Sequence, residues 1–230
     1  MARSRQFLIF DADDTLWENN IYFEEAFDRF YDYLSHSSMS SAEVRGVLDE
    51  IEMTNARIHG YGSKNYARNL TECYRHLAER HIAEADLKAV QEFAHQILEK
   101  PIELIDGVED TVAQLAERHS LTIFTKGDQE EQRLKIDRSG LGPYFEHAAI
   151  VKEKDQAAYS ALAQQRKFDP ALTWMIGNSP KSDINPALAA GLNAVFVPHA
   201  RTWSLEHADV PESHPRLLKV ERIRELLEHF

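Results

Sequence analysis

Apolar positions along this chain change their period twice. Phe7-Leu8-Ile9-Phe10 is a short, unbroken apolar run that ends abruptly in Asp11-Ala12-Asp13-Asp14-Thr15-Leu16. A run this brief, β-prone and free of polar residues predicts a strand buried on both faces. From there to Pro101 the spacing turns helical. Phe23, Ala26, Phe27, Phe30 and Leu34 share one face of a first helix. A serine-rich break follows over residues 35–41, and Ser40 with Glu43 has the spacing of a capping box for a second helix. That helix carries Val44, Val47, Leu48, Ile51, Asn55 and Ile58. Gly60-Tyr61-Gly62-Ser63 reads as a turn, and Tyr66, Leu70, Cys73, Tyr74 and Leu77 form the stripe of a third helix. A fourth, with Leu87, Val90, Phe93, Ala94, Ile97 and Leu98, must stop before Pro101. Successive amphipathic helices with no convincing strand among them predict a small bundle inserted after the first strand. The alternative is that they simply cover a sheet.

Strand and helix then alternate. Val108, Val112 and Leu115 mark a short helix, and residues 120–124 a buried strand ending in Thr125-Lys126-Gly127-Asp128. A helix is expected from about Gln129 to Ser139, stopped by Gly140. Residues 147–151 form the next strand, ending in Lys152-Glu153-Lys154-Asp155, before a helix with Ala158, Ala161 and Leu162. Residues 172–176 lead into Gly177-Asn178-Ser179-Pro180-Lys181-Ser182-Asp183 and a helix from Ile184 to Ala190. Residues 194–197 are a fifth strand, 217–220 a short sixth at an edge, and a last helix runs to Phe230. Repeated β-α units predict an α/β fold, a doubly wound parallel sheet with a Rossmann-like core. The expected division is 1–17 with 101–230 for the α/β core and 18–100 for the helical insertion.

Composition narrows the partners. Hydrophobic residues make up 43% of the chain, enough for a sizeable core. A net charge of −12 argues against a nucleic-acid surface or an anionic membrane. It leaves room for a small anionic substrate, because a bound metal reverses the local field. The one cysteine, Cys73, cannot form an intrachain disulfide, which fits a reducing, cytoplasmic setting. Its place in an apolar stripe points to packing rather than nucleophilic chemistry. No signal peptide and no membrane-spanning apolar run are read in the sequence. The eleven histidines show no His-Glu-x-x-His or paired ligand spacing, so no zinc site is expected.

In a parallel sheet the C-terminal strand ends share one edge, where such sheets place ligands. Asp11 and Asp13, Thr125, Lys154, and Asn178 with Asp183 are therefore expected to converge. Carboxylates clustered at the end of a buried strand need a counter-charge, and a hard, oxygen-seeking cation such as magnesium supplies one. A carboxylate nucleophile, a metal, a hydroxyl and a lysine together suit phosphoryl transfer. Lys152 competes with Lys154, since residues two apart in an extended segment face the same side. Lys154 is preferred because it stands directly before the predicted helix. The Lys126 side chain is read as a solvated loop lysine or a substrate contact. His199 and Arg201 follow the fifth strand, where a surface loop is preferred over a place near the site, and the 60–65 turn is divided between an ordinary interhelical turn and a substrate contact.

These elements, in this order, resemble the haloacid dehalogenase superfamily of hydrolases. Asp11-Ala12-Asp13-Asp14-Thr15 matches its Asp-x-Asp-x-Thr loop, Thr125 its strand-end Ser or Thr, and Lys154 its lysine before a helix. Gly177-Asn178-Ser179 with Asp183 matches its Gly-Asp-Ser-type loop and later acid, and the helical insertion looks like the family's first class of cap. The resemblance implies that Asp11 attacks phosphorus and that Asp13 serves as acid and then base. It implies magnesium held by Asp11, the Asp13 carbonyl and Asp183, and phosphate bound by Thr125, the Lys126 N–H and Lys154. Three residues depart from the pattern. Asp14 stands where glycine is usual and must tolerate a positive φ. Asn178 stands where aspartate is common; its amide oxygen can still orient a ligand water or Lys154. Asp155 replaces a frequent proline and is expected to cap the helix.

The expected activity is magnesium-dependent hydrolysis of a small phosphorylated metabolite, such as a phosphoglycolate-like acid, a sugar phosphate or a nucleoside monophosphate. No nucleic-acid or membrane partner is expected, and the protein is read as a monomer or homodimer. A 2-haloacid dehalogenase, which needs neither magnesium nor the second aspartate, and a phosphomutase are alternatives within the family. Outside it stand a phospho-acceptor receiver domain, disfavoured by the long insertion, and a silent binding protein.

Overall fold

A computed structural model describes residues 4–230, and the strand expected from the first apolar run lies in the middle of its sheet. β1 (Phe7–Phe10) is flanked by β2 (Ser120–Lys126) and β4 (Thr173–Gly177), both parallel to it. β3 (His147–Val151) extends one side, and β5 (Asn193–Phe196) and β6 (Leu217–Lys219) extend the other, giving the order β3-β2-β1-β4-β5-β6. Alternation along β1 explains its unbroken hydrophobicity. Leu8 and Phe10 join the core on one face with Leu121, Ile123 and Val195, under α5 (Val108–Ala116) and α9 (Leu226–His229). Ile9 joins the opposite core with Phe124, Met175 and Tyr159, the last carried by α7 (Gln156–Arg166).

In register, Phe10 is opposite Ile123 on one side and Ile176 on the other. The residue after it, Asp11, still donates its N–H to Ile176 O at 2.9 Å. The strand therefore keeps its backbone pinned up to the first carboxylate. α6 (Gln129–Arg138) and α8 (Asn185–Ala189) complete the α/β unit. The helix expected from Ile184 is preceded by a π-turn over Pro180–Ile184. Ser179 builds it: its carbonyl accepts from the N–H groups of Asp183 and Ile184, and its hydroxyl accepts from the Ser182 N–H.

The chain divides into two compact units, one made of the stretch to Glu18 with Ile102–Phe230, the other of Asn19–Pro101. The second contains α1 (Asn20–Leu34), α2 (Ser41–His59), α3 (Ser63–Leu77) and α4 (Glu84–His95). Its core joins Phe30, Leu48, Leu70, Cys73, Tyr74 and Val90. The capping box forms: Ser40 Oγ accepts the Glu43 N–H and Glu43 Oε2 accepts the Ser40 N–H at 2.8 Å. Cys73 is buried and burial pushes its thiol pKa up to about 12, so it is a packing residue. The turn between α2 and α3 is closed locally, by the Asn65 amide donating to Gly60 O at 2.7 Å. Among the described residues no helix is long and apolar enough to cross a membrane.

Candidate active site

The loop after β1 turns sharply because Ala12 O accepts the N–H groups of Thr15 and Leu16. Asp14 takes φ 59, the left-handed conformation that its short polar side chain tolerates where glycine is usual. This turn aims Asp11 and Thr15 at the ends of β3 and β4. Lys154, three residues past β3, donates to Asp11 Oδ1 at 2.5 Å and also to Asp183 Oδ1. Asp155 caps α7 by accepting the Ala158 N–H at 2.8 Å, which fixes the backbone next to that lysine. Lys152 is exposed while Lys154 is buried, so packing separates two lysines that spacing alone left close.

Asp183 is fully buried, and its Oδ2 accepts the Ser179 N–H at 2.9 Å. Its carboxylate lies against Gly177, where any Cβ would collide with it. Glycine is thus required at the end of β4 by close approach rather than by backbone angle. Asn178 stands beside Asp11 through Thr15. The Thr15 hydroxyl lies 3.1 Å from both Asp11 Oδ2 and Asn178 Oδ1, and it accepts the Asn178 N–H at 3.2 Å. One proton serves two acceptor oxygens there. The Asn178 amide donates to Thr202 at 2.8 Å, which orients its oxygen towards Thr15.

A second group surrounds Asp13. Its Oδ1 accepts the Trp17 indole N–H at 2.8 Å, its Oδ2 accepts the Gln132 amide at 2.8 Å, and Lys135 lies 2.9 Å from both oxygens. Gln132 also accepts the Thr125 hydroxyl at 3.2 Å, so it bridges Thr125 to Asp13. Gln132 and Lys135 are one turn apart on α6 and share a face. Sequence reasoning passed over both. The available signal was that a helix covering a sheet carried almost no apolar stripe, so a polar face had to be the one turned inward.

The reading of Lys126 as a solvated lysine is corrected. Its side chain is only 13% exposed, with the ammonium 2.5 Å from Glu206 Oε1 and 2.9 Å from Ser182 Oγ. Glu206 Oε2 accepts the Ser179 hydroxyl at 2.6 Å, so this ion pair braces the loop that carries Asp183. His199 lies half-buried in the loop after β5, its ring 3.4 Å from Glu18 and 4.0 Å from Asp14.

Charge at the centre is unbalanced. Burial raises the pKa of Asp11, opposed by Lys154 and reinforced by the nearby charge of Asp13. Burial, then the negative charge of Asp11, pushes Asp183 up to about 7 against the pull of Lys154. Burial alone would lower Lys154, but its two carboxylate neighbours outweigh this and hold it above the ordinary lysine value. Two desolvated carboxylates share one ammonium. Oxygen donors with a deficit of positive charge fit a hard divalent cation such as magnesium.

Comparison with known proteins identifies the family and the fold. A family model for haloacid dehalogenase-like hydrolases matches residues 7–191. The crystal structure of a haloacid dehalogenase-like family hydrolase from Xanthomonas campestris is 30% identical, with a TM-score of 0.84 over 99% of this chain and 95% of that one. The HAD-hydrolase YfnB of Bacillus subtilis (strain 168) is 26% identical over 153 residues, 64% of this chain. The match spans 61% of the length of that curated relative. A magnesium-bound crystal structure of YfnB has the same fold, with a TM-score of 0.70 and 19% identity over 99% of each chain. So does a 2-haloacid dehalogenase from Pseudomonas syringae pv. Tomato DC3000, with a TM-score of 0.64 and 19% identity over 97% of each chain.

Proposed function

The chain belongs to the haloacid dehalogenase-like hydrolases, and from that premise we propose that it is a magnesium-dependent phosphatase acting on a small phosphomonoester. An Asp11 carboxylate oxygen attacks phosphorus, and the bond from phosphorus to the alcohol oxygen breaks. Asp13 gives its proton to that departing oxygen. In the second half Asp13 takes a proton from water as the water oxygen attacks phosphorus. The bond from phosphorus to Asp11 then breaks, releasing inorganic phosphate and restoring both aspartates. Thr125 and the Lys126 N–H bind the phosphoryl oxygens, and Lys154 offsets the charge of Asp11 beside an anionic substrate. Asp11, the Asp13 carbonyl and Asp183 are the candidate magnesium ligands, with Asn178 orienting a ligand water. Magnesium, when bound, would neutralise charge on the transferring phosphoryl group.

One observation carries this reading: two buried carboxylates, Asp11 and Asp183, share a single ammonium while a third, Asp13, stands close by. The magnesium in the YfnB structure supports it. A second reading, 2-haloacid dehalogenase, draws on the direct Lys154–Asp11 contact, which offsets the nucleophile's charge without a metal, and on the fold shared with the Pseudomonas enzyme. It leaves Asp13 and its three donors without a task.

Hydrolysis of p-nitrophenyl phosphate, with magnesium and with EDTA, tests the choice. Activity is expected only with magnesium, and Asp11→Asn is expected to abolish it. Release of chloride from 2-chloropropionate in EDTA, with no phosphate release under either condition, would establish the dehalogenase instead.

A further inference from the structure

We propose that Glu206 is a positioning residue for Asp183, holding through the Ser179 hydroxyl the loop that turns one Asp183 oxygen towards Asp11; this rests on the reading of Asp183 as a magnesium ligand. Glu206 lies in the turn Ser204–Glu206, beyond β5 and outside every motif of the site. It is nevertheless buried, and both of its oxygens are engaged at the sheet edge. Oε2 accepts the Ser179 hydroxyl at 2.6 Å and Oε1 meets the Lys126 ammonium at 2.5 Å.

Ser179 converts that contact into a direction. Its hydroxyl, donated to Glu206, also accepts the Ser182 N–H at 2.9 Å. Its N–H donates to Asp183 Oδ2 at 2.9 Å. Oδ2 is thereby anchored within its own loop, which leaves Oδ1 turned to the Lys154 ammonium, and that ammonium also meets Asp11 Oδ1. Asp183 therefore presents an oxygen to the same positive centre as Asp11. The second arm ties this loop to its surroundings. Lys126 ends β2, and its ammonium reaches Ser182 Oγ at 2.9 Å as well as Glu206. Tyr159 on α7 donates to the Ser182 carbonyl at 2.9 Å. On the opposite side the Asp183 carboxylate lies against Gly177, so a shift of the loop has little room to be absorbed there. Magnesium demands near-ideal octahedral geometry, whereas calcium accepts irregular sets of oxygens. A displaced Asp183 should therefore penalise magnesium more than calcium.

Calorimetric titration of the full chain with magnesium, and separately with calcium, reads the effect without substrate or turnover. Ser179→Ala removes the link to Glu206, changes no charge and keeps the N–H that meets Asp183. It is expected to raise the magnesium dissociation constant by about 10- to 100-fold, the usual cost of losing a group that orients a ligand. The loss of calcium affinity should be several-fold smaller. Glu206→Gln, which still offers Ser179 an acceptor but gives up the ion pair, should show the same bias against magnesium with a smaller loss. A purely structural role would lower the melting temperature and leave the affinity of the folded protein for both cations unchanged. Thermal melts in EDTA identify a variant that does not fold; if Ser179→Ala is one, Glu206→Gln decides alone by the same ratio. Unchanged magnesium affinity in the folded variants, or equal losses for the two cations, would overturn the inference and leave magnesium binding intact. Wild-type protein that takes up no magnesium would overturn the magnesium reading and this inference with it.

Discussion

The helical unit and the α/β unit both bury polar groups, and the same desolvation has opposite consequences in the two. In the helical unit burial acts with little opposition. Cys73 is pushed up to about 12, and the Tyr66 hydroxyl is also raised, burial being the largest cause in each case. The Cys73 thiol and the Tyr66 hydroxyl are thereby held protonated. The buried Asn55 side chain donates to the Asn69 amide and to the Glu72 carboxylate, at 2.9 Å each. At the strand ends of the α/β unit burial is opposed by a countercharge. Asp183 is raised to about 7 by burial yet held down by Lys154, and Lys154 in turn is held up by the carboxylates. Desolvation alone keeps a thiol or a phenol protonated; against a fixed opposite charge it meets a competing force, and the outcome depends on which is larger.

The contrast can be broken most directly at Lys154. Lys154→Met leaves Asp11 and Asp183 buried without their cation, and removing one partner of a buried pair costs about 3–5 kcal/mol. Denaturant melts in EDTA should show a loss of that size, partly restored by adding Asp183→Asn. An unchanged melting curve would mean that the pair is not what balances the strand ends.

A smaller effect is expected at Glu206, where the opposing forces resolve the other way. Burial tends to raise its pKa, but Lys126 and the Ser179 and Ser182 hydrogen bonds win and lower it. A carboxylate with a depressed folded-state pKa contributes stability above its ordinary value of 4.5 and loses it as pH falls through the folded value. Glu206→Gln should therefore be less stable than wild type by about 2 kcal/mol at pH 7. The gap should close once the medium is acidified well below pH 4.5, the ordinary value from which Glu206 is depressed. A gap that widens on acidification would show that Glu206 is not held in its charged form by Lys126.

The smallest effect belongs to the helical unit. Cys73, fully buried with its thiol held protonated, should resist iodoacetamide at pH 8 until the protein unfolds. Alkylation at the rate of an exposed thiol in the folded protein would place Cys73 among the reactive groups and erase the distinction between the two units.

Much of the architecture was legible along the chain. Short apolar runs stood for strands buried on both faces, and helical spacing stood for the four helices between Asn19 and Pro101. Asp155 was readable as a helix cap because capping is a local hydrogen bond between near neighbours. The positive φ at Asp14 was readable for the same reason. What escaped were the residues whose task depends on a distant partner. Lys126 meets Glu206, eighty residues on, and Gln132 and Lys135 meet Asp13 from a helix more than a hundred residues later. No period or motif marks a lysine as one that will be buried beside a carboxylate it has yet to meet.

The sequence by itself determined the alternation of β and α, the order of the reacting residue types and the edge of the sheet to which they go. Backbone hydrogen bonding and apolar burial act over short spans of chain, and their signatures are periodic. The tertiary structure alone decided which of two lysines reaches Asp11, that Gly177 must make room for Asp183, and that Asp13 is gripped from α6. These outcomes turn on the separations between side chains on different elements, which only close packing sets.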